Sequence, residues 1–131
     1  MVFVDTDLLV AMLRGDRQAD QKLDALESSR TRIRASTITA MELFFGAYLH
    51  AKTKEKIDEV SNVLDQIELA DFDLHVSDCC GKLLHTIRTR KIDVDLPDVQ
   101  IAATVIAHND TIITRNIKDF SRIPGLRVET W

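Results

Sequence analysis

Three acidic residues and one amide stand where a folded chain can gather them into a site. Asp5 follows the run Val2-Phe3-Val4, and Glu42 lies among Met41, Leu43, Phe44 and Phe45. Asp98 follows Pro97, and Asn116 follows Thr111-Ile112-Ile113-Thr114, with Asp119 one helical turn later. Two or three carboxylates within roughly 5 Å repel one another by about 3 kcal/mol per pair at an effective dielectric near 20. Such a cluster persists with shifted pKa values or with bound cations. An all-oxygen donor set points to Mg2+ or Mn2+ rather than zinc. The four histidines, His50, His75, His85 and His108, show no paired ligand spacing.

Each position also has an ordinary structural explanation. Asp5 or Asp7 can cap the following helix. Thr39-Ala40-Met41-Glu42 has the form of a capping box, in which Glu reaches back to the first free N–H. Yet a carboxylate close to an apolar face is costly unless paired. Pro97 and Asp98 suit a helix N-terminus with Asp95 as its cap, and Asn116 suits a cap before one last turn. These explanations are independent of one another, whereas convergence on one site accounts for all four positions together.

The pattern of apolar residues predicts the elements that must position these groups. Strands are expected at residues 2–4, 31–35, 69–74, 111–114 and 126–128. Helices are expected at 8–13, ending at Gly15, then at 19–26, 41–49, 54–67, 77–88, from 97 to about 108, and at 117–120. Strands alternating with helices imply an α/β fold with a mainly parallel sheet covered on both faces. Ligands in such sheets bind beyond the carboxyl ends of the strands, where Asp5 and Asn116 fall.

A chain of 131 residues, 45% of them hydrophobic, is expected to form one domain, residues 1–131. No apolar run approaches the roughly 20 residues of a membrane helix, and the start lacks the basic region of a secretory signal. The adjacent Cys79 and Cys80 cannot make a disulfide framework, so a cytoplasmic location is expected. The net charge of −4 excludes holding nucleic acid by overall charge alone. An acidic enzyme acting on phosphodiesters must neutralise its site with divalent cations and local basic patches. Candidate patches are Arg30-Arg32-Arg34, Arg88-Arg90-Lys91 and Arg115-Lys118-Arg122.

Several blocks together resemble a known family. Val4-Asp5-Thr6-Asp7-Leu8-Leu9 and Ser36-Thr37-Ile38-Thr39-Ala40-Met41-Glu42-Leu43, with Gly46-Ala47, resemble the first two blocks of PIN domains. Pro97-Asp98-Val99-Gln100-Ile101-Ala102-Ala103 resembles the third. Ile113-Thr114-Arg115-Asn116-Ile117-Lys118-Asp119-Phe120 and Ile123-Pro124-Gly125-Leu126-Arg127-Val128-Glu129 resemble the closing block. The resemblance spans the chain in order and is closest to the VapC-type toxins of toxin–antitoxin pairs.

It implies a PIN-like three-layer sandwich and an Mg2+-dependent endoribonuclease. Asp5, Glu42 and Asp98 would lie at its catalytic centre, with Asn116 and Asp119 completing the set and Asp5 and Asp98 holding the metal. Thr6, Thr114 and Arg115 would meet the site or the RNA substrate. The resemblance further implies a cognate VapB-type antitoxin and a homodimer or toxin–antitoxin hetero-oligomer. Two departures stand out: the family often has Asn where Asp7 stands and an acid where Asn116 stands. Asp5-Thr6-Asp7 also matches the nucleophile motif of haloacid-dehalogenase-like phosphatases, although Leu9 and the missing Lys and Gly-Asp pair do not fit. A degenerate, non-catalytic PIN interaction module is the other alternative.

Overall fold

The computed structural model describes all residues, Met1–Trp131. Short β-branched and aromatic runs make the middle of its sheet, where burial on both faces favours such residues over alternating patterns. β1 (Val2–Val4) leads into α1 (Thr6–Leu13) and α2 (Arg17–Ser28). β2 (Ile33–Ser36) is followed by α3 (Thr37–Tyr48) and α4 (Thr53–Leu64), then β3 (Glu68–Ala70), α5 (Leu74–Thr89) and α6 (Leu96–Ala107). β4 (Thr111–Ile113), α7 (Ile117–Phe120) and β5 (Arg127–Glu129) complete the chain.

All neighbouring strands pair in parallel, in the order β3-β2-β1-β4-β5. The chain winds outward from β1 through β2 to β3, then crosses back to β4 and β5. The switch point therefore lies between β1 and β4, at whose carboxyl ends such folds place their ligands. The pleat sends successive side chains to opposite faces. Phe3 and Ile112 join the core beneath α5, α6 and α7, whereas Val4 and Ile113 join the core beneath α1 to α4. This is the three-layer α/β arrangement expected from the sequence.

The element boundaries show what the apolar pattern missed. α3 begins at Thr37, capped by the Ser36 hydroxyl, which accepts from the Ile38 N–H. Glu42 consequently lies in the second turn, and the capping-box reading of residues 39–42 does not hold. β3 stops at Ala70, and α5 starts at Leu74 under an Asp73 cap that accepts from the Val76 N–H. Gly15 follows α1 at φ 78°, a left-handed turn that glycine adopts without strain. Both cysteines are free in α5. No helix is long and apolar enough to cross a membrane.

Candidate active site

The register of β1 against β4 builds the centre of the site. Val4 lies opposite Ile113, and the Asp5 N–H donates to the Ile113 carbonyl at 3.0 Å. Asp5 and Thr114 thus leave adjacent strand ends side by side, and the Thr114 hydroxyl donates to Asp5 Oδ2 at 2.7 Å. The other oxygen, Oδ1, accepts the Thr6 N–H at 2.8 Å, so Asp5 does cap α1. Capping and membership of an acid cluster coexist in one side chain.

Thr6 connects the second acid. Its hydroxyl donates to Glu42 Oε1 at 2.7 Å and lies 3.1 Å from the hydroxyl of buried Thr39. One residue therefore binds Asp5 through its backbone and Glu42 through its side chain. Asp98 is the third residue of α6, where an acid suits the helix dipole. The Asp95 cap ahead of it makes no side-chain cap bond.

The electrostatics show the acids facing one another. Asp5 is only 5% exposed. Burial, with the charges of Asp7 and Asp98, pushes its carboxyl up to about 7, against the lowering effect of its bonds from Thr114 and Thr6. Burial, then the charges of Glu42, Asp119, Asp95 and Asp7, raise Asp98 to about 6. Acids that follow β1 or lie on α1, α3, α6 and α7 are thus near enough for their charges to act on Asp5 or Asp98. Asp119 also accepts from Arg122 at 3.4 Å. Asn116 precedes α7 without a side-chain cap bond, and its backbone N–H donates to the Thr114 hydroxyl at 2.9 Å.

The oxygen donors suit a hard cation such as Mg2+, which keeps several waters and needs only one or two carboxylates. No three His, Cys, Asp or Glu side chains stand close enough to enclose an ion directly. Asp5 and Asp98 are carboxylates of the type that a largely hydrated divalent cation takes as ligands.

Asp7, the extra acid at the rim, is fully engaged. It accepts the Arg115 N–H at 2.8 Å, the Trp131 indole N–H at 3.3 Å and a weaker contact from the Thr114 hydroxyl at 3.2 Å. The Arg115 guanidinium stacks 3.4 Å from the Trp131 ring centre, bonds Gln18 and pairs with Asp16. Trp131 carried no signal in the sequence, because its partners are distant in the chain and its spacing matches no motif.

The three basic patches separate in the structure. Arg32 and Arg34 pair with Glu68 across β2 and β3. Arg115 and Arg122 are engaged as described. Arg88, Arg90 and Lys91 are exposed, and none enters an ion pair. Their loop continues to Asp93, whose carbonyl accepts from Arg122 at 3.0 Å, and so to Asp95 and Asp98.

Beside Glu42, a cavity of about 310 Å³ opens between α1, α3 and α4, lined by Val10, Leu13, Leu43, Gly46 and Val60. On the outer face of α3, Phe45, Tyr48 and Leu49 are 61%, 68% and 72% exposed, with Met41 in line. Of the large apolar residues of α3, only Leu43 is buried.

Comparison with known proteins matches residues 2–126 to the PIN domain family. Ribonuclease VapC2 of Rickettsia felis is 28% identical over 98% of this chain and 96% of its own length. The tRNA(fMet)-specific endonuclease VapC of Salmonella typhimurium is 26% identical over the same shares. The crystal structure of VapBC2 from Rickettsia felis, bound to a DNA fragment from its promoter, superposes with a TM-score of 0.91 at 28% identity. That match covers 100% of this chain and 99% of the other.

Proposed function

The chain belongs to the PIN domain family, and from that premise we propose that it is an Mg2+-dependent endoribonuclease, the toxin of a VapBC-type toxin–antitoxin pair. The observation that supports the reading is the approach of Asp5 and Asp98, distant in sequence, close enough that the Asp98 charge helps to raise the buried Asp5 carboxyl. The relatives named ribonuclease and tRNA-specific endonuclease support the substrate class.

Asp5 and Asp98 would hold the metal, Mg2+ or Mn2+, through their carboxylate oxygens. When bound, the cation acidifies water and offsets the negative charge that builds up on the phosphoryl group. Thr114 fixes one oxygen of Asp5, and Thr6 fixes one oxygen of Glu42, so both carboxylates present their remaining lone pairs in set directions. Glu42 orients the attacking water and takes its proton. Asp119 adds charge on the far side of Asp98, and Asn116 supplies a neutral hydrogen-bonding group there. Arg115 stays with Trp131 and lends the substrate its field rather than a direct contact. The near-complete burial of Asp5 and the bonds to both its oxygens disfavour a phosphatase nucleophile at that position.

The cognate antitoxin occupies the α1–α3–α4 cavity and reaches Glu42 at its edge, and the exposed face of α3 serves assembly. The protein acts in the cytoplasm, where its RNA substrate lies.

The test is incubation of purified protein with RNA after chelation. Cleavage is expected to be absent with chelator and restored by added Mg2+. Cleavage that continues unchanged in excess chelator would overturn the metal-dependent reading.

A further inference from the structure

The Thr114 hydroxyl has one proton and two carboxylates within reach, Asp5 Oδ2 at 2.7 Å and Asp7 Oδ2 at 3.2 Å. Which acid receives it depends on what else satisfies each. Asp7 already accepts the Arg115 N–H on Oδ2 and the Trp131 indole N–H on Oδ1. Trp131 is itself held in place: Arg115 covers its ring, the Arg115 Nε donates to the Trp131 carbonyl at 3.4 Å, and the ring packs at the edge of the α1–α4 core. Asp16 and Gln18 anchor the guanidinium from the start of α2.

We propose that Trp131 is a positioning residue that acts through Asp7. By satisfying Asp7 from the side away from the cluster, its indole N–H leaves the Thr114 proton to Asp5 and fixes the orientation of the Asp5 carboxylate. Without that bond, Asp7 turns toward Thr114, and the two acids compete for one proton. The inference deepens the ribonuclease reading and rests on it.

The test combines Trp131→Phe, which keeps an aromatic ring over Arg115 but removes the N–H, with Asp7→Ala. In the otherwise wild-type protein, Trp131→Phe is expected to lower kcat about tenfold with KM unchanged, a coupling of the size shared hydrogen-bond networks show. In the Asp7→Ala protein the same change is expected to cost nothing further, because its route to Asp5 is already gone. Trp131 is the only tryptophan, so one indole N–H resonance reports the contact, and Asp7→Ala should move it in the folded protein. Multiplying losses in the double variant, wild-type kcat in Trp131→Phe, or an indole resonance indifferent to Asp7→Ala would each overturn the proposal. Wild-type protein that leaves RNA intact would instead overturn the ribonuclease reading, and this proposal with it.

Discussion

Thr114 Oγ1 donates to Asp5 Oδ2 at 2.7 Å across 109 positions of sequence, and both groups are buried. The bond opposes the burial that raises the Asp5 carboxyl. Thr114→Val keeps the side-chain shape but deletes the donor. It is expected to cost about 1–3 kcal/mol of stability, as a buried acceptor left unpaired does, and to lower kcat as Asp5 loses its orientation. Thr114→Ser is expected to retain both, and chemical denaturation with initial-rate kinetics checks the pair.

The raised Asp5 and Asp98 carboxyls give the metal-free protein a definite pH dependence. An acid whose folded pKa lies above its unfolded value binds protons more tightly when folded. Its contribution to stability is full below about 4 and is lost as pH rises through about 6 for Asp98 and about 7 for Asp5. For Asp5 the difference amounts to on the order of 4 kcal/mol between those limits. Thermal unfolding in chelator is therefore expected to occur at lower temperature at pH 8 than at pH 5. Asp5→Asn should remove most of that slope, and Mg2+ should reduce it in the wild type.

How much of this was legible beforehand differs by residue. Asp5 and Asp98 were visible because each follows a strong local signal, a buried strand or a Pro-led helix start. Glu42 has a capping box as its rival explanation in the sequence, because the Ser36 cap bond that starts α3 earlier than expected depends on local geometry. The end of β3 was overextended because Phe72 and Leu74 are apolar, although the Phe72 N–H leaves the sheet to bond Thr37 Oγ1. Trp131 and the engagement of Arg115 depend on contacts between residues far apart in sequence, which no local pattern carries.

Among the basic residues, Arg90 and Lys91 are the free cations whose loop leads into α6 and the acid cluster. Replacing both with Ala is expected to weaken RNA binding and to reduce the slope of log affinity against log salt by about 0.7 per lost phosphate contact. Arg32→Ala should leave that slope unchanged, since Arg32 is spent on Glu68. Binding measured over a salt series in Asp98→Asn protein, which avoids turnover, distinguishes the two.

Phe45 on α3 and Leu49, just after its last residue, are exposed apolar side chains near one another, the kind of surface that marks an association site when it is contiguous. Sedimentation of the wild type is expected to show self-association, and Phe45→Ser with Leu49→Ser to show a monomer of unchanged fold. A wild type that stays monomeric at high concentration would contradict a role for this face in self-assembly.

The most direct measurement is RNA cleavage by purified Asp98→Asn beside the wild type at saturating Mg2+, with circular dichroism of both. Asp98 is half-buried and makes no hydrogen bond that the fold depends on, so the substitution should leave the structure intact while removing a charge from the cation site. Cleavage is expected to fall by at least about 10²-fold, the loss seen when one electrostatic partner of a reacting phosphoryl or acyl group is removed. Folded Asp98→Asn protein that cuts RNA at the wild-type rate would show that the acid cluster is not the catalytic centre.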